Sequence, residues 1–382
     1  MTTASPVPAT IDDPINLRIL RISEDQLQGF QREPFSEIAR QSDVELKVVL
    51  ERVHAMLEAG TIRRVRQTMV TTSLALGSLV AWQIPEDRLS ESFNYLFEQD
   101  PFSGHVVIRT TDSATPGSHY RLWTTLKVPP QFSIEKHAEF LAEQIGAQSF
   151  RLMPAKKLFA LGVGHMRRRE IEAGARSDDP GRVIDTAVVP LTDHEWDVIE
   201  VLKREFTVDE LVENPWTARA TKAGIAIDDL FATADALQEK GVIGRFSTFL
   251  EHVKSIAGGQ RVTRYNALFH WAVPAGQELD AGREVGRHHI MTHAYWREGG
   301  PEFRDVNIMG VAHGTDKDLV LAHKAAIDTH LEEAGISVGY SNVFWGGRSE
   351  IKPSEISPGA YLTWCESAGI DPASMRSSEG NA

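Results

Sequence analysis

Two stretches of the chain pair proton-transfer residues with an anion clamp. His293, Tyr295 and Arg297 stand two apart, so on a β-strand they share one face. Asn307, Met309, Val311 and His313 share one face of the following strand by the same count. If the two faces coincide, two imidazoles, a phenol and a guanidinium look into one space. Imidazole suits proton delivery near neutral pH, and the guanidinium fork grips a carboxylate at two points. Glu298, Gly299, Gly300 and Pro301 have turn composition, so the spacing predicts strands over 291–297 and 304–313 joined by a turn.

The second of these stretches is an echo. His105 and Arg109 precede His293 and Arg297 at one common offset, and Lys127 stands near the position of His313. Gly60 and Gly241, and Pro85 and Pro274, repeat at nearly the same spacing. Such agreement marks a tandem duplication with short insertions and deletions.

Composition limits the function classes. The 382 residues are 42% hydrophobic and 24% charged, ordinary for soluble globular domains. No apolar run nears the roughly 20 residues of a membrane span, and the opening residues have neither a basic nor an apolar signal region. A cytoplasmic protein with no membrane partner is expected. One cysteine, Cys365, rules out an internal disulfide framework and thiolate metal sites. A net charge of −13 argues against general nucleic-acid binding. His288, His289 and His293 would straddle a helix end and a strand with no carboxylate at fixed spacing, so no metal site is expected. Gly162 and Gly164 fall short of a dinucleotide fingerprint.

The elements that must carry these residues follow from periodicity. After a disordered lead, 1–14, the segment 15–70 reads as a winged helix-turn-helix. It has helices over 15–22 and 34–39, and a third capped by Ser42 or Asp43 with Leu46, Val49, Leu50, Val53 and Leu57 inward. Gly60 stops that helix, and 61–70 forms a wing. The segment 71–165 alternates as βαββαβ, a ferredoxin-like sandwich: strands 78–84, 105–110, 119–127 and 148–161, helices 86–99 and 133–145. A polar linker, 166–189, contains the solvated run Arg167, Arg168, Arg169. Both modules then recur. A second winged helix, 190–250, has Thr192 as a cap, a short helix over 208–212 and another over 227–240. A second sandwich, 251–355, has helices near 279–289 and 316–334. A C-terminal tail, 356–382, has nothing to bury at its end. Two such sandwiches predict sheets packed face to face about a pseudo-twofold axis. Pairing within the chain and a homodimer are both open to them. The fold class is thus α+β, a tandem repeat of winged helix-turn-helix plus ferredoxin-like domains.

That architecture resembles the Lrp/AsnC regulators. Yet the helices at the DNA-reading positions are acidic. Asp43, Glu45, Glu51 and Glu58 outweigh Lys47 and Arg52 in the first, and Asp228, Asp229, Asp235 and Glu239 outweigh Lys240 in the second. Such faces repel phosphate, so no nucleic-acid partner is expected. The motifs resemble more closely those of the sirohaem decarboxylases. These are Gly60-Thr-Ile-Arg63-Arg64 and Gly241-Val-Ile-Gly-Arg245, the strand His293-Ala-Tyr295-Trp-Arg297, and Asn307-Ile308 with His313-Gly314. In the first half Tyr120-Arg-Leu-Trp123 belongs to the set. The likeness runs over about 15–355. This sequence departs from the family at Ala294, where a cysteine stands, and at Val107 and Lys127 in the first half. The resemblance implies an iron-tetrapyrrole ligand that brings its own iron, with no further cofactor, and loss of acetate carboxyls as CO2. Catalysis would rest on the second half: His293 and His313 as proton donors, with Tyr295 orienting an imidazole. Arg63, Arg64, Arg109, Arg245 and Arg297 would anchor the other carboxylates, and His105 would anchor or act as a second donor. Two other functions stay open: an effector-responsive regulator and a non-catalytic tetrapyrrole carrier.

Overall fold

The computed structural model describes residues 7–161, 171–251 and 263–377. Arg167, Arg168 and Arg169, Gly162, Gly164, and parts of the expected lead, linker and tail lie outside the described residues. In chain order, α1 (Pro14–Ser23) starts where the Asp13 carboxylate accepts from the Ile15 and Asn16 N–H groups at 3.0 and 3.1 Å. α2 (Pro34–Ser42) and α3 (Leu46–Glu58) follow. The expected α3 cap is corrected. Asp43 is the left-handed stop of α2, φ 52°, and Glu45 precedes α3 without a side-chain cap bond. Aspartate tolerates that backbone region, so a start signal serves here as a stop. Gly60, φ 74°, then releases the chain into β1 (Ile62–Met69).

The first sandwich segment gives β2 (Leu76–Gln83), α4 (Leu89–Glu98), β3 (Ser103–Thr110), β4 (Tyr120–Val128), α5 (Ile134–Ile145), β5 (Ser149–Pro154) and β6 (Lys157–Leu161). The short β7 (Ile184–Asp185) follows. α6 (Asp193–Lys203) opens on a capping box of Thr192 and Glu195. The helix expected over 208–212 is only a 3-10 turn, Val208–Glu210. The full helix is α7 (Pro215–Ala223), with Pro215 in its first turn and Gly224 left-handed at its end. Then come α8 (Ile227–Glu239), β8 (Ile243–Leu250), β9 (Tyr265–Ala272), α9 (Glu278–Arg287), β10 (Met291–Trp296), β11 (Ile308–Gly314), α10 (Lys317–Glu333), β12 (Tyr340–Ile351) and α11 (Pro358–Ala368).

The chain forms two compact units. The helical unit holds α1–α3 with β1 and α6–α8 with β8. Among the described residues neither repeat builds a wing of its own. β1 pairs antiparallel with β8, from Ile62 opposite Leu250 to Met69 opposite Ile243. Each strand alone would leave its backbone groups unpaired, and the duplication supplies the partner. Phe35, Phe206, Trp216 and Phe246 pack beneath this ribbon edge to face.

The second unit is one ten-stranded sheet in the order β5-β2-β4-β3-β12-β9-β11-β10-β6-β7. Each half arranges its βαββαβ strands as fourth, first, third, second. The halves join because β12 runs on past β9 to pair with β3. The strand expected over 148–161 is likewise split: β5 borders β2, and β6 crosses to border β10. One run of chain thus stands at one end of the strand order and, next to β7, beside the other, and the sheet curls on itself. The expected pair of separate sheets is therefore a single curled sheet with few exposed edges. Its inner faces meet in a shared core that includes Trp123, Met153, Leu268, Phe303, Met309 and Phe344. The outer-face core of the first half joins residues of α4, α5 and α11, and that of the second half joins residues of α9 and α10. The tail is corrected too. Tyr361, Trp364, Cys365 and Met375 are buried in the first half's outer core, where the Tyr361 hydroxyl lies 2.9 Å from His137 Nδ1. Among the described residues no helix is long and apolar enough to cross a membrane.

Candidate active site

β10 and β11 bring the opening constellation together. His293 lies opposite Val311, and Tyr295 opposite Met309. The Arg297 N–H donates to the Asn307 carbonyl at 3.0 Å. The His293 and Tyr295 rings stack with centroids 6.0 Å apart, and the Arg297 guanidinium lies 4.4 Å from the Tyr295 centroid. The connection is longer than a tight turn. It holds a 3-10 turn, Pro301–Phe303, and three left-handed residues, Gly300, Arg304 and Asp305. It inserts Phe303 into the inner core, against Tyr120 and Trp123.

The register slips between Met291 and His293, and this bulge re-aims Thr292. Its hydroxyl donates to the Val311 carbonyl at 3.0 Å. The same oxygen stands 3.2 Å from His293 Nδ1 and 3.4 Å from His313 Nδ1. A hydroxyl has one proton and two lone pairs. With its proton on Val311, Thr292 can accept only from Nδ1–H groups of both rings. In that tautomer Nδ1, not Nε2, carries the proton of each neutral ring. Thr292 was absent from the sequence reading, although a hydroxyl beside His293 was its available signal.

Two buried arginines border the inner face. Arg297 donates to the Met153 carbonyl, and burial pulls its pKa below the ordinary value while Tyr295 partly restores it. Burial likewise pushes the Tyr295 phenol up. Arg109, on β3, donates to Asn266 Oδ1 and the Phe344 carbonyl at 3.3 Å, and burial brings its pKa down to about 10. Among the described residues neither guanidinium is within ion-pair reach of a carboxylate. Burying an uncompensated cation costs several kcal/mol, and a bound carboxylate would offset that cost. His105 keeps company with Arg109 on β3, with Nε2 2.8 Å from Ser349 Oγ. Three strands, β12, β9 and β11, separate β3 from β10 in the sheet order. His270, which the sequence reading passed over, is fully buried on β9. Burial, with Arg109 and Lys324 nearby, holds it near 3 and so neutral.

The remaining candidates lie on the ribbon of the helical unit. Arg64 is buried, pairs with Glu205 at 3.1 Å and is lowered by burial. Arg63 sits at a register slip between Ile62 and Arg64. The Arg245 Nε donates to the Glu24 carbonyl at 3.2 Å, and burial lowers its pKa.

Residues 75–160 match the family model of an AsnC-like ligand binding domain. That match spans β2 to β5, in the first half of the curled sheet. The sirohaem decarboxylase of Hydrogenobacter thermophilus is 27% identical over 308 residues, 79% of this chain and 84% of its own. The crystal structure of the sirohaem decarboxylase NirDL superposes with a TM-score of 0.64 at 21% identity, covering 92% of this chain and 97% of that one. NirDL in complex with an iron-uroporphyrin III analogue gives 0.63 at 21% identity, over 92% and 98%. The chain is a homologue of the sirohaem decarboxylases.

Proposed function

We propose that this protein is a carboxy-lyase that removes acetate carboxyl groups from an iron tetrapyrrole. The observation that carries the reading is the likeness to a sirohaem decarboxylase along most of both chains. The hydrogen-bonded chain His293–Thr292–His313 supports it, since the reaction needs a proton donor beside buried cations.

The chemistry balances with this chain's own groups. The bond between the acetate methylene and its carboxylate breaks and CO2 leaves. The electron pair stays on the methylene carbon, in conjugation with the macrocycle. A protonated His293 or His313 then gives its Nε2 proton to that carbon, which becomes a methyl group. Removing water from the leaving carboxylate favours its loss as neutral CO2. Tyr295 holds the His293 ring by stacking, and Arg297 steadies Tyr295. Arg63, Arg64, Arg109, Arg245 and Arg297 are the proposed anchors for carboxylates that stay, with His105 as a further anchor. The iron belongs to the substrate, and the mechanism asks for no other cofactor. Anaerobic incubation with sirohaem, followed by mass analysis, tests the reading: loss of CO2 from acetate arms supports it. Unchanged sirohaem with intact binding would favour a non-catalytic tetrapyrrole binder.

A further inference from the structure

Residues 171–186 lie as a strap along the outer side of the second half. At one end the Ile171 backbone is hydrogen-bonded to His323 of α10. At the other, Ile184 and Asp185 pair as β7 with Leu158 and Lys157 of β6, and Thr186 Oγ1 donates to the Ala155 carbonyl at 3.1 Å. Between these ends the Ser177 and Gly181 N–H groups donate to the Arg287 and Arg283 carbonyls at 3.0 and 2.9 Å. The His289 N–H donates to the Ala175 carbonyl at 3.0 Å. Arg287 reaches back, with Nε 3.0 Å from the Ser177 carbonyl and a terminal nitrogen 2.5 Å from that of Asp178. The outer-face and inner cores include none of residues 171–186. A segment held by hydrogen bonds without a share in the core belongs to the least stable parts of a fold.

Beside the strap stands a group of buried imidazoles that the proposed mechanism does not use. His288 forms an isolated bridge with Arg176 of the strap, and its ring meets that of His330 edge to face, with centroids 5.2 Å apart. His288, His323 and His330 are all buried. Both ring nitrogens of His288, and Nδ1 of His323 and His330, have no hydrogen-bond partner among the described residues. An imidazolium at His288 would bury a charge and two N–H donors without acceptors. The groups facing it are Arg176 from the strap, His323 and His330 from α10, and Glu284 from α9. Glu284 is the one carboxylate of that set, and it is already taken up by Arg287 at 2.9 Å and His330 Nε2 at 2.6 Å. His289 lies outside the group, with Nε2 3.1 Å from Ser177 Oγ.

We infer that residues 171–186 are an acid-released strap, which protonation of His288 lifts from α9 and α10 while the rest of the sheet unit stays folded. Burial, with His330, Arg176 and His323 adding to it, holds closed His288 near 3. With the strap open the ring meets water and titrates near the ordinary 6.5. The open form therefore takes up the proton first, and opening gains about tenfold per pH unit as pH falls from about 6.5 toward 3. Release of β7 uncovers the edge of β6, the strand that borders β10 with Leu161 opposite His293. The strap is thus a pH-sensitive support for the strand of His293, and this holds whether or not the protein is a decarboxylase.

Hydrogen exchange of the full-length protein at pH 7, 6 and 5, corrected for intrinsic rates and read by mass spectrometry, tests it. Peptides within 172–185 should gain exchange about tenfold between pH 6 and pH 5, while peptides of α4 and α5 keep their protection. His288→Gln, which cannot titrate there, should flatten that dependence. Equal exchange of the strap at pH 7 and pH 5 would overturn the inference. So would a wild-type pH dependence in His288→Gln. Strap, α4 and α5 losing protection together in the wild type would overturn it as well, by making the acid response global, and that reading does not depend on the variant folding.

Discussion

β3 and β10 are the same strand made twice, and they differ in what surrounds the same two residues. Both carry a histidine and, four residues on, an arginine, and both have a register slip just before the histidine. In β10 the residue at that slip is Thr292, whose hydroxyl reaches His293 and His313. In β3 it is Gly104, where an added Cβ would run into Ser354 Oγ. Between histidine and arginine stands Tyr295 in one strand and Val107 in the other. His105 turns to Ser349 instead, across the β3–β12 seam. Arg109 is held by Asn266 and the Phe344 carbonyl, whereas Arg297 lies on an aromatic ring. The proposed mechanism accordingly puts proton delivery on the second copy and charge holding on the first, and it makes the residue at the bulge the point on which the two copies differ.

Substitutions in matched pairs sharpen this contrast. The largest difference should come from His313→Ala against Lys127→Ala. The first should lower turnover about 10²- to 10⁴-fold with ligand binding nearly intact, as loss of a general acid does. The second should leave the chemical step unchanged in single-turnover kinetics. Arg297→Ala and Arg109→Ala come next, each weakening iron-tetrapyrrole binding by about 1.5–3 kcal/mol in titrations. Equal wild-type affinity in both would break the view of the first copy as a charge holder.

Acid should also affect the molecule through the second copy. His270 and His288 are buried, neutral and held near 3, well below the 6.5 of an open imidazole. For His288 burial is the main cause, with His330, Arg176 and His323 adding to it. The unfolded chain takes up their protons first, so stability is lost as pH falls from about 6.5 toward 3. Each contributes about 1.4 kcal/mol per pH unit in that window. Urea unfolding at pH 6 and pH 5 measures the slope, which His288→Gln should reduce. Smallest is Thr292→Val, expected to slow turnover about five- to tenfold, the net worth of one hydrogen bond, without weakening binding. Grafting Thr at Gly104 should not create the relay, and it should lower Tm because Ser354 occupies the space.

Much of this was legible in the sequence because it is periodic. Alternation put His293, Tyr295 and Arg297 on one face, and that face does meet Met309 and Val311. What escaped depends on partners distant in the chain. Residues 148–161 read as one strand because periodicity cannot say that Lys157–Leu161 will pair with a different neighbour from Ser149–Pro154. The wing strand gave no sign that its partner lay in the other repeat. The tail, polar at its very end, hid Tyr361 and Trp364, whose burial depends on a groove built by α4 and α5. Thr292 was passed over because a bulge is not readable from residue types.

The central claim is that proton delivery to the decarboxylated carbon belongs to the second copy alone. His293→Ala and His105→Ala, assayed side by side in anaerobic single turnover with sirohaem and mass analysis, address it most directly. The account predicts that His293→Ala binds sirohaem but forms decarboxylated product about 10²- to 10⁴-fold more slowly, while His105→Ala forms it at the wild-type rate. Wild-type product formation by His293→Ala, or an equal loss in both variants, would contradict it.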